Sequence, residues 1–329
     1  MCKKILATVL CFVMLFALVS CNDSAQAVPS IPDSSSSGGS GGTTNPVSTT
    51  TSTKLEDNRL WLKVATYNIQ HGQDDDPNRT GPKCNLDNMV KVIKENDIDI
   101  CGFNEIEINA DRSAKHQPEA INQPQYIAQK LTQETGEQYY YAYAVSNLGT
   151  IAAYDDSYEE TEGQAAGCNA IVSKYRIIGT PRAVRITLSE DQIEELGEYK
   201  KYYEARVLLI AQVEIEEGKP LTVISTHFGL TTPEQTKIVD VLESELASLR
   251  QNPVVLMGDF NVTPKSSLIT RLKAKLQNTS PGGQITFIGS GLSEIDYIFV
   301  SKTMQTRNYK VLQYPHSDHM PVSVEILWG

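Results

Sequence analysis

The sequence predicts an α+β fold, two packed and mainly antiparallel sheets with helices outside, on three observations. Stretches of strand character outnumber stretches of helical periodicity, the helical stretches are interspersed without regular alternation, and polar residues recur where apolar strands finish. The best-marked strand end is Val254-Val255-Leu256-Met257-Gly258-Asp259-Phe260-Asn261. Four apolar residues between Pro253 and Gly258 fit a strand buried on both faces, and Asp259 and Asn261, two apart in extended chain, face one point.

From the start of the chain, Lys3 and Lys4 precede an apolar run from Ile5 to Val19. The run is too short and wrongly flanked for a stable span, so residues 1–20 are expected to be a secretory signal. Leu18-Val19-Ser20-Cys21 resembles the bacterial lipobox, which implies cleavage before Cys21 and a lipid on its thiol. The expected location is therefore that of an exported lipoprotein at the cell envelope, on the periplasmic or surface face of an outer membrane. Residues 21–57 read as a flexible tether, because Ser34 to Gly42 is all Ser and Gly and the Thr/Ser-rich stretch that follows has nothing to bury. Residues 58–329 are then the folded domain.

With 40% hydrophobic residues the chain can bury a substantial core. Formal net charge is -11, and without the first twenty residues 27 basic face 40 acidic ones. Such a surface repels polyanions at long range, which disfavours a nucleic-acid binder while leaving room for a nuclease with a local basic track. Cys2 and Cys11 leave with the signal, and Cys84, Cys101 and Cys168 remain in the domain. An odd three cannot form a full disulfide framework and none stand at zinc-ligand spacing, so at most one bridge is expected and none needed for function.

Within the domain, Trp61 to Ile69 reads as a strand running into Asn68, His71 and Gly72. A helix starts at Asn85, with Leu86, Met89, Val90 and Ile93 on one face. Ile98 to Phe103 is a strand ending in Asn104-Glu105. Gln123 to Thr135 is helical and stops at Gly136, Tyr139 to Val145 and Cys168 to Val172 are strands, and 153–167 between them is a loop. Tyr202 to Ile215 is one long or two short strands; Leu221 to Thr226 is another, ending in His227. Pro233 to Arg250 is a helix with a capping box at Thr232 and Gln235. Ser266 to Leu276 is a short helix bearing Arg271, Lys273 and Lys275. Ile295 to Val300 and Val322 to Leu327 are the last strands, with Ser317-Asp318-His319 between them.

The strand ends collect Asn68, Glu105, His227, Asp259, Asn261, Asp296 and Ser317-Asp318-His319. Carboxylates with amide oxygens suit a hard cation such as magnesium, and histidine suits charge on phosphoryl oxygens, so together they suit hydrolysis of a phosphate ester. Of five histidines, His71, His227, His316 and His319 lie in or beside these clusters.

Seven blocks, Thr66 to Gly72, Asn104-Glu105, Gly167 to Ser173, Thr226-His227, Gly258 to Asn261, Ile295 to Phe299 and Ser317 to His319, resemble in order the signatures of the endonuclease/exonuclease/phosphatase superfamily. The resemblance covers Leu62 to Trp328 and implies a four-layer αββα sandwich and a magnesium-dependent phosphodiesterase or phosphatase, with manganese or calcium as other ions. It implies Glu105 as main metal ligand with Asn68 and Asp318 beside it, and Asp259 orienting or deprotonating the attacking water. Asn261 would hold the phosphoryl group, Asp296 would pair with His319 to stabilise the transition state, and His227 would stabilise charge or protonate the leaving oxygen. Asn169, Arg206 and His71 are the implied phosphate or substrate contacts. Asn104 stands where the family has Gln, and Glu107 is a reserve ligand.

Ile295-Asp296-Tyr297-Ile298 departs from the Trp-Cys-Asp-Arg of inositol polyphosphate phosphatases, and the abasic-site endonuclease pattern is missing. The blocks look more like small secreted phosphodiesterases and sphingomyelinases. The expected partners are a phosphoester substrate, whether lipid head group, sugar phosphate or nucleic acid, and a membrane met only through the lipid, with the protein a monomer. A secreted nuclease and a catalytically inactive surface binding protein are the alternatives.

Overall fold

Apolar side chains occupy both odd and even positions of the central strands, so each sheet must be covered on both faces, and the layers follow from that requirement. The computed structural model describes residues 26–27, 60–73, 84–110, 113, 116–148, 165–249, 252–314 and 316–329. In chain order its regular elements are β1 (Gln26–Ala27), β2 (Leu60–Asn68), α1 (Asp87–Asn96), β3 (Ile100–Ile108), α2 (Gln123–Thr135), β4 (Tyr140–Leu148), β5 (Ala166–Ser173), β6 (Arg176–Ile186) and α3 (Glu190–Glu195). There follow β7 (Arg206–Glu216), β8 (Lys219–His227), α4 (Thr232–Ser248), β9 (Val254–Asp259), α5 (Ser267–Lys275), β10 (Gln277–Asn278), β11 (Asp296–Val300), β12 (Thr306–Val311) and β13 (Val322–Trp328). The first sheet has the order β1-β4-β5-β3-β2-β13-β12 and the second β10-β11-β9-β8-β7-β6. Each contains a single parallel pair, β2 with β3 and β8 with β9, and is otherwise antiparallel.

Three separate apolar clusters fill the three spaces of a four-layer αββα sandwich. Leu62, Val64, Ile100, Val207, Leu209, Val223, Val255, Met257, Ile298 and Val324 lie between the sheets. Ala65, Tyr67, Cys101 and Phe103, the alternate residues of β2 and β3, pack on Met89, Ile93, Ile127 and Leu131 of α1 and α2. Leu208, Ile224, Leu256 and Phe299 pack on Ile238, Leu242, Ile269 and Leu272 of α4 and α5. The period of two along each strand therefore sorts side chains into layers. Among the described residues no helix is long and apolar enough to cross a membrane.

The parallel pairs set where chemistry can gather. β2 and β3 run together towards Asn68 and Asn104, and β8 and β9 towards His227 and Asp259. Asp296 at the start of β11 pairs with Asp259, and Val322 at the start of β13 with Thr66. One rim thus collects strand ends from both sheets.

Several expected boundaries shift. Asn104-Glu105 does not end a strand: β3 continues to Ile108, and Glu105 sits at an irregularity in its pairing with β5, at φ 50°. A bulge re-aims one side chain while pairing resumes beyond it. The capping box of α4 lies one residue earlier than expected, where Thr231 N and Oγ1 both donate to Glu234 Oε2, at 3.0 and 2.6 Å. Tyr202 belongs to a 3-10 turn, Gly197–Tyr202, ahead of β7. Three edge strands, β6, β12 and the two-residue β10, and the short α3 stand where the sequence shows no such element. Gln26–Ala27 pairs with β4 inside the stretch read as a tether. The signal segment 1–20, Cys21, the rest of the tether and loop residues 153–164 lie outside the described residues. Cys84, Cys101 and Cys168 are all buried, Cys101 and Cys168 as free thiols.

Candidate active site

On the first sheet, β2 ends in Asn68, fully buried, whose amide Nδ2 donates to Glu105 Oε1 at 3.0 Å and to Asp259 Oδ2 at 3.1 Å. Gln70 N donates to its Oδ1 at 3.1 Å, which fixes the amide orientation. The bulge in β3 turns Glu105 towards this amide, and at 29% side-chain exposure it remains open to solvent. Burial pushes the Glu105 carboxyl up, but His71, His227 and Asn68 outweigh it and hold it at about 2. Glu107, fully buried, faces away from that opening, with its Oε1 3.2 Å from His71 Nδ1.

On the second sheet, Asp259 is buried at the end of β9 and its Oδ2 lies 3.5 Å from His227 Nε2 and 3.6 Å from His319 Nε2. Burial pushes the Asp259 carboxyl up to about 7 against the pull of His319. His319 has Asp296 Oδ2 2.9 Å from its Nδ1. Burial works against charge on this imidazole, yet Asp296 and Asp259 prevail and raise it to about 10. Ser317 Oγ donates to Asn68 O at 2.8 Å and accepts from His319 N at 3.2 Å, so the loop before β13 is tied to the end of β2. Asp318 lies next in sequence to His319 and adds to the charge that raises it.

His227 has the opposite character. Burial and the Arg206 guanidinium, 3.2 Å from Nδ1, lower it to about 3. Arg206 has only donors, so Nδ1 faces a donor, and Nε2 lies 3.2 Å from Asn261 Nδ2, 3.5 Å from Asp259 Oδ2 and 4.0 Å from Glu105 Oε1. Asn261, in left-handed backbone at φ 48°, donates its amide to Phe228 O at 3.0 Å and its backbone N–H to Asp259 Oδ1 at 2.8 Å.

The structure thus brings Asn68, His71, Glu105, His227, Asp259, Asn261, Asp296 and His319 into one connected group. Two of the expected phosphate contacts stand behind it. Arg206 is buried and shared between His227 and Glu204. Asn169 uses both ends of its amide inside the protein, accepting from Asn104 Nδ2 at 2.9 Å and donating to Val207 O at 2.8 Å. Asn104, the shortened amide, still reaches Thr226 O at 2.9 Å and accepts from Asp259 N at 2.9 Å. Its part in holding Asp259 escaped the sequence reading, because only the pairing of the two sheets shows what a buried amide touches.

Among the described residues, one group of three ligand-type side chains, Asp259, Asp296 and His319, comes within 4.8 Å. All three are buried, Asp296 Oδ2 faces one ring nitrogen and Asp259 Oδ2 the other, and neither carboxylate is open to solvent, so we read this closed group as an ion-pair chain. The surroundings of Glu105 fit a divalent cation better: an ionised, solvent-open carboxylate whose Oε1 is oriented by Asn68 Nδ2.

The family model described as endonuclease/exonuclease/phosphatase family matches residues 65–319. An endonuclease/exonuclease/phosphatase from Beutenbergia cavernae has a similar structure, with TM-score 0.62 and 20% identity over 82% of this chain and 72% of that one. A family protein from Bacteroides thetaiotaomicron gives 0.56 and 16% over 82% and 99%. A mannosyl-6-phosphatase from Bacteroides thetaiotaomicron gives 0.54 and 17% over 81% and 100%. At these identities the structural likenesses establish the fold. No curated protein matches the sequence.

Proposed function

Because the chain belongs to the endonuclease/exonuclease/phosphatase family, whose members are phosphoester hydrolases, we propose that it hydrolyses phosphodiesters or phosphomonoesters with Asp259 as general base. The observation that carries this reading is the pairing of opposite protonation states 3.6 Å apart: an Asp259 carboxyl poised at about 7 and a His319 imidazolium held to about 10. A base near the working pH takes a proton from water efficiently, and a fixed positive group next to it stabilises the negative charge that grows on the phosphoryl oxygens. Water gives its proton to Asp259, its oxygen bonds to phosphorus, and the bond from phosphorus to the leaving oxygen breaks. Asn68 aligns Asp259 and Glu105 together, and Asp296 keeps His319 protonated and oriented. Glu105, its Oε1 oriented by Asn68 Nδ2, would hold, together with Asp318, a divalent cation, magnesium by expectation from the sequence, that neutralises phosphoryl charge when bound.

The nuclease alternative needs a basic track. Arg271 instead donates to Asp240 Oδ1 and to Glu243 Oε2, both at 2.7 Å, which leaves its charge compensated. This speaks for a small phosphoester over a polyanion, and the sugar phosphate cleaved by a mannosyl-6-phosphatase is one example of that class. Anchoring at the envelope through Cys21 remains part of the proposal, supported by Lys3, Lys4 and the apolar run that follows. Cys21→Ala should move the protein from the membrane to the soluble fraction, and unchanged partitioning would refute the anchor.

The test is hydrolysis of p-nitrophenyl phosphate, its bis ester, sugar phosphates, sphingomyelin, RNA and DNA by the whole protein, with divalent cation or with chelator. Turnover that chelation abolishes is expected on at least one small phosphoester. No cation-dependent turnover on any member of the panel would sink the reading.

A further inference from the structure

The segment after β2 turns through left-handed backbone at residues other than glycine. Gln70, His71 and Gly72 all have left-handed backbone, at φ 43°, 63° and 79°. A non-glycine residue in that conformation costs about 1–2 kcal/mol and persists only when its surroundings over-determine it. They do so here. Gly72 N donates to Ile69 O at 2.7 Å, Gln73 N to Gln70 O at 2.9 Å, and Gln123 Nε2 to His71 O at 2.9 Å. Gln123 also accepts from Glu107 N through its Oε1 at 2.8 Å, so the His71 carbonyl and the Glu107 backbone are held by one side chain.

The result is a ring placed between two carboxylates. His71 Nε2 lies 3.2 Å from Glu105 Oε2, and His71 Nδ1 lies 3.2 Å from Glu107 Oε1. Glu107 is fully buried, and Ser113 Oγ donates to its other oxygen at 3.1 Å. A carboxylate behind one ring nitrogen, with the other nitrogen turned to an open ligand, is the arrangement that supports a metal-binding histidine. The spacing agrees. Two donors on one octahedral ion, each about 2.1 Å from it and at right angles, stand about 3 Å apart.

We propose that His71 Nε2 joins Glu105 as a ligand of the same divalent cation, with Glu107 as the carboxylate behind it, and that the centre prefers manganese or a similar first-row ion to magnesium. The proposal rests on the reading of Glu105 as metal ligand. Imidazole favours borderline cations over hard ones, so a histidine in the first sphere moves selectivity in that direction.

The test uses Mn2+ titrated into the whole protein, followed by pulsed electron paramagnetic resonance and calorimetry. His71→Asn is the informative substitution because Asn tolerates the left-handed backbone. Nitrogen coupling from directly bound imidazole is expected in the native protein, lost in His71→Asn and kept in His227→Gln. His71→Asn should weaken Mn2+ binding about tenfold or more and Mg2+ binding by less than about threefold. Glu107→Gln should keep the nitrogen coupling and weaken Mn2+ about tenfold. Bound Mn2+ without nitrogen coupling in the native protein, or coupling that survives His71→Asn, overturns the proposal while leaving Glu105 as a ligand. Mn2+ binding unaffected by Glu105→Gln is a different result, and it overturns the metal reading of the site itself.

Discussion

Asp259 can accept a proton only when ionised, and His319 carries its charge only when protonated. Their pKa values, about 7 and about 10, are therefore in the right order to leave a window in which both conditions hold. The profile of kcat/KM against pH should rise through about 7 and fall through about 10, reporting the two groups of the free enzyme. Asp259→Asn should lower kcat by roughly 10²–10⁴-fold and remove the acidic limb; a profile that keeps this limb would assign it elsewhere. The same pair bears on stability. His319 is raised in the fold above its ordinary 6.5, so its contribution is complete below that value and is lost as pH climbs through about 10. Arg206 acts on His227 from behind, and Arg206→Gln should raise the His227 pKa, read by imidazole NMR titration. An unchanged value would leave burial as the whole cause.

At the scale of elements, the strands that the sequence declared were those buried on both faces, such as Val254–Asp259, where an apolar run leaves little alternative. The longer strands it concealed, β6 and β12, are terminal strands of their sheets, and Arg-Ile-Ile-Gly-Thr-Pro-Arg and Thr-Arg-Asn-Tyr carry charge and turn formers that a covered strand would exclude. The bulge at Glu105 was invisible for a different reason: Phe103-Asn104-Glu105-Ile106 alternates badly, which reads as a strand end, and only the partner strand β5 shows that pairing resumes. Gly258 is the residue of β9 that the neighbouring strand constrains most. A Cβ there would stand 1.8 Å from Thr226 O, on backbone at φ 151°. Gly258→Ala should cost roughly 3 kcal/mol and lower the melting temperature by about 6–12 °C, and a shift of under about 2 °C would show that the parallel pair yields easily.

For the whole molecule, the site residues came from the sequence as an ordered set of polar blocks, while their division between sheets did not. Asn68, His71, Glu105 and His319 belong to the first sheet and its loops; His227, Asp259, Asn261 and Asp296 belong to the second. Everything between them depends on the apolar layer of the middle, where Gly102 leaves room for Met257 and a Cβ would come within 2.9 Å of its side chain. Met257→Ala should destabilise the protein by about 2–5 kcal/mol through the cavity it opens, seen as a lower urea midpoint, and it should reduce kcat as the halves loosen. A loss of stability with full kcat would mean that the rim is held by its own hydrogen bonds.

Those bonds have a consequence in time. Asn104 reaches from the first sheet to Thr226 O and to Asp259 N, and Asn169 reaches from the same sheet to Val207 O, so the bonds that aim the base span the two sheets and exist only where these are packed together. In a refolding experiment, secondary structure can recover as each sheet forms, but turnover has to wait until the two have docked in register. A chain caught half-assembled is chemically silent, and the recovery of activity marks the end of folding.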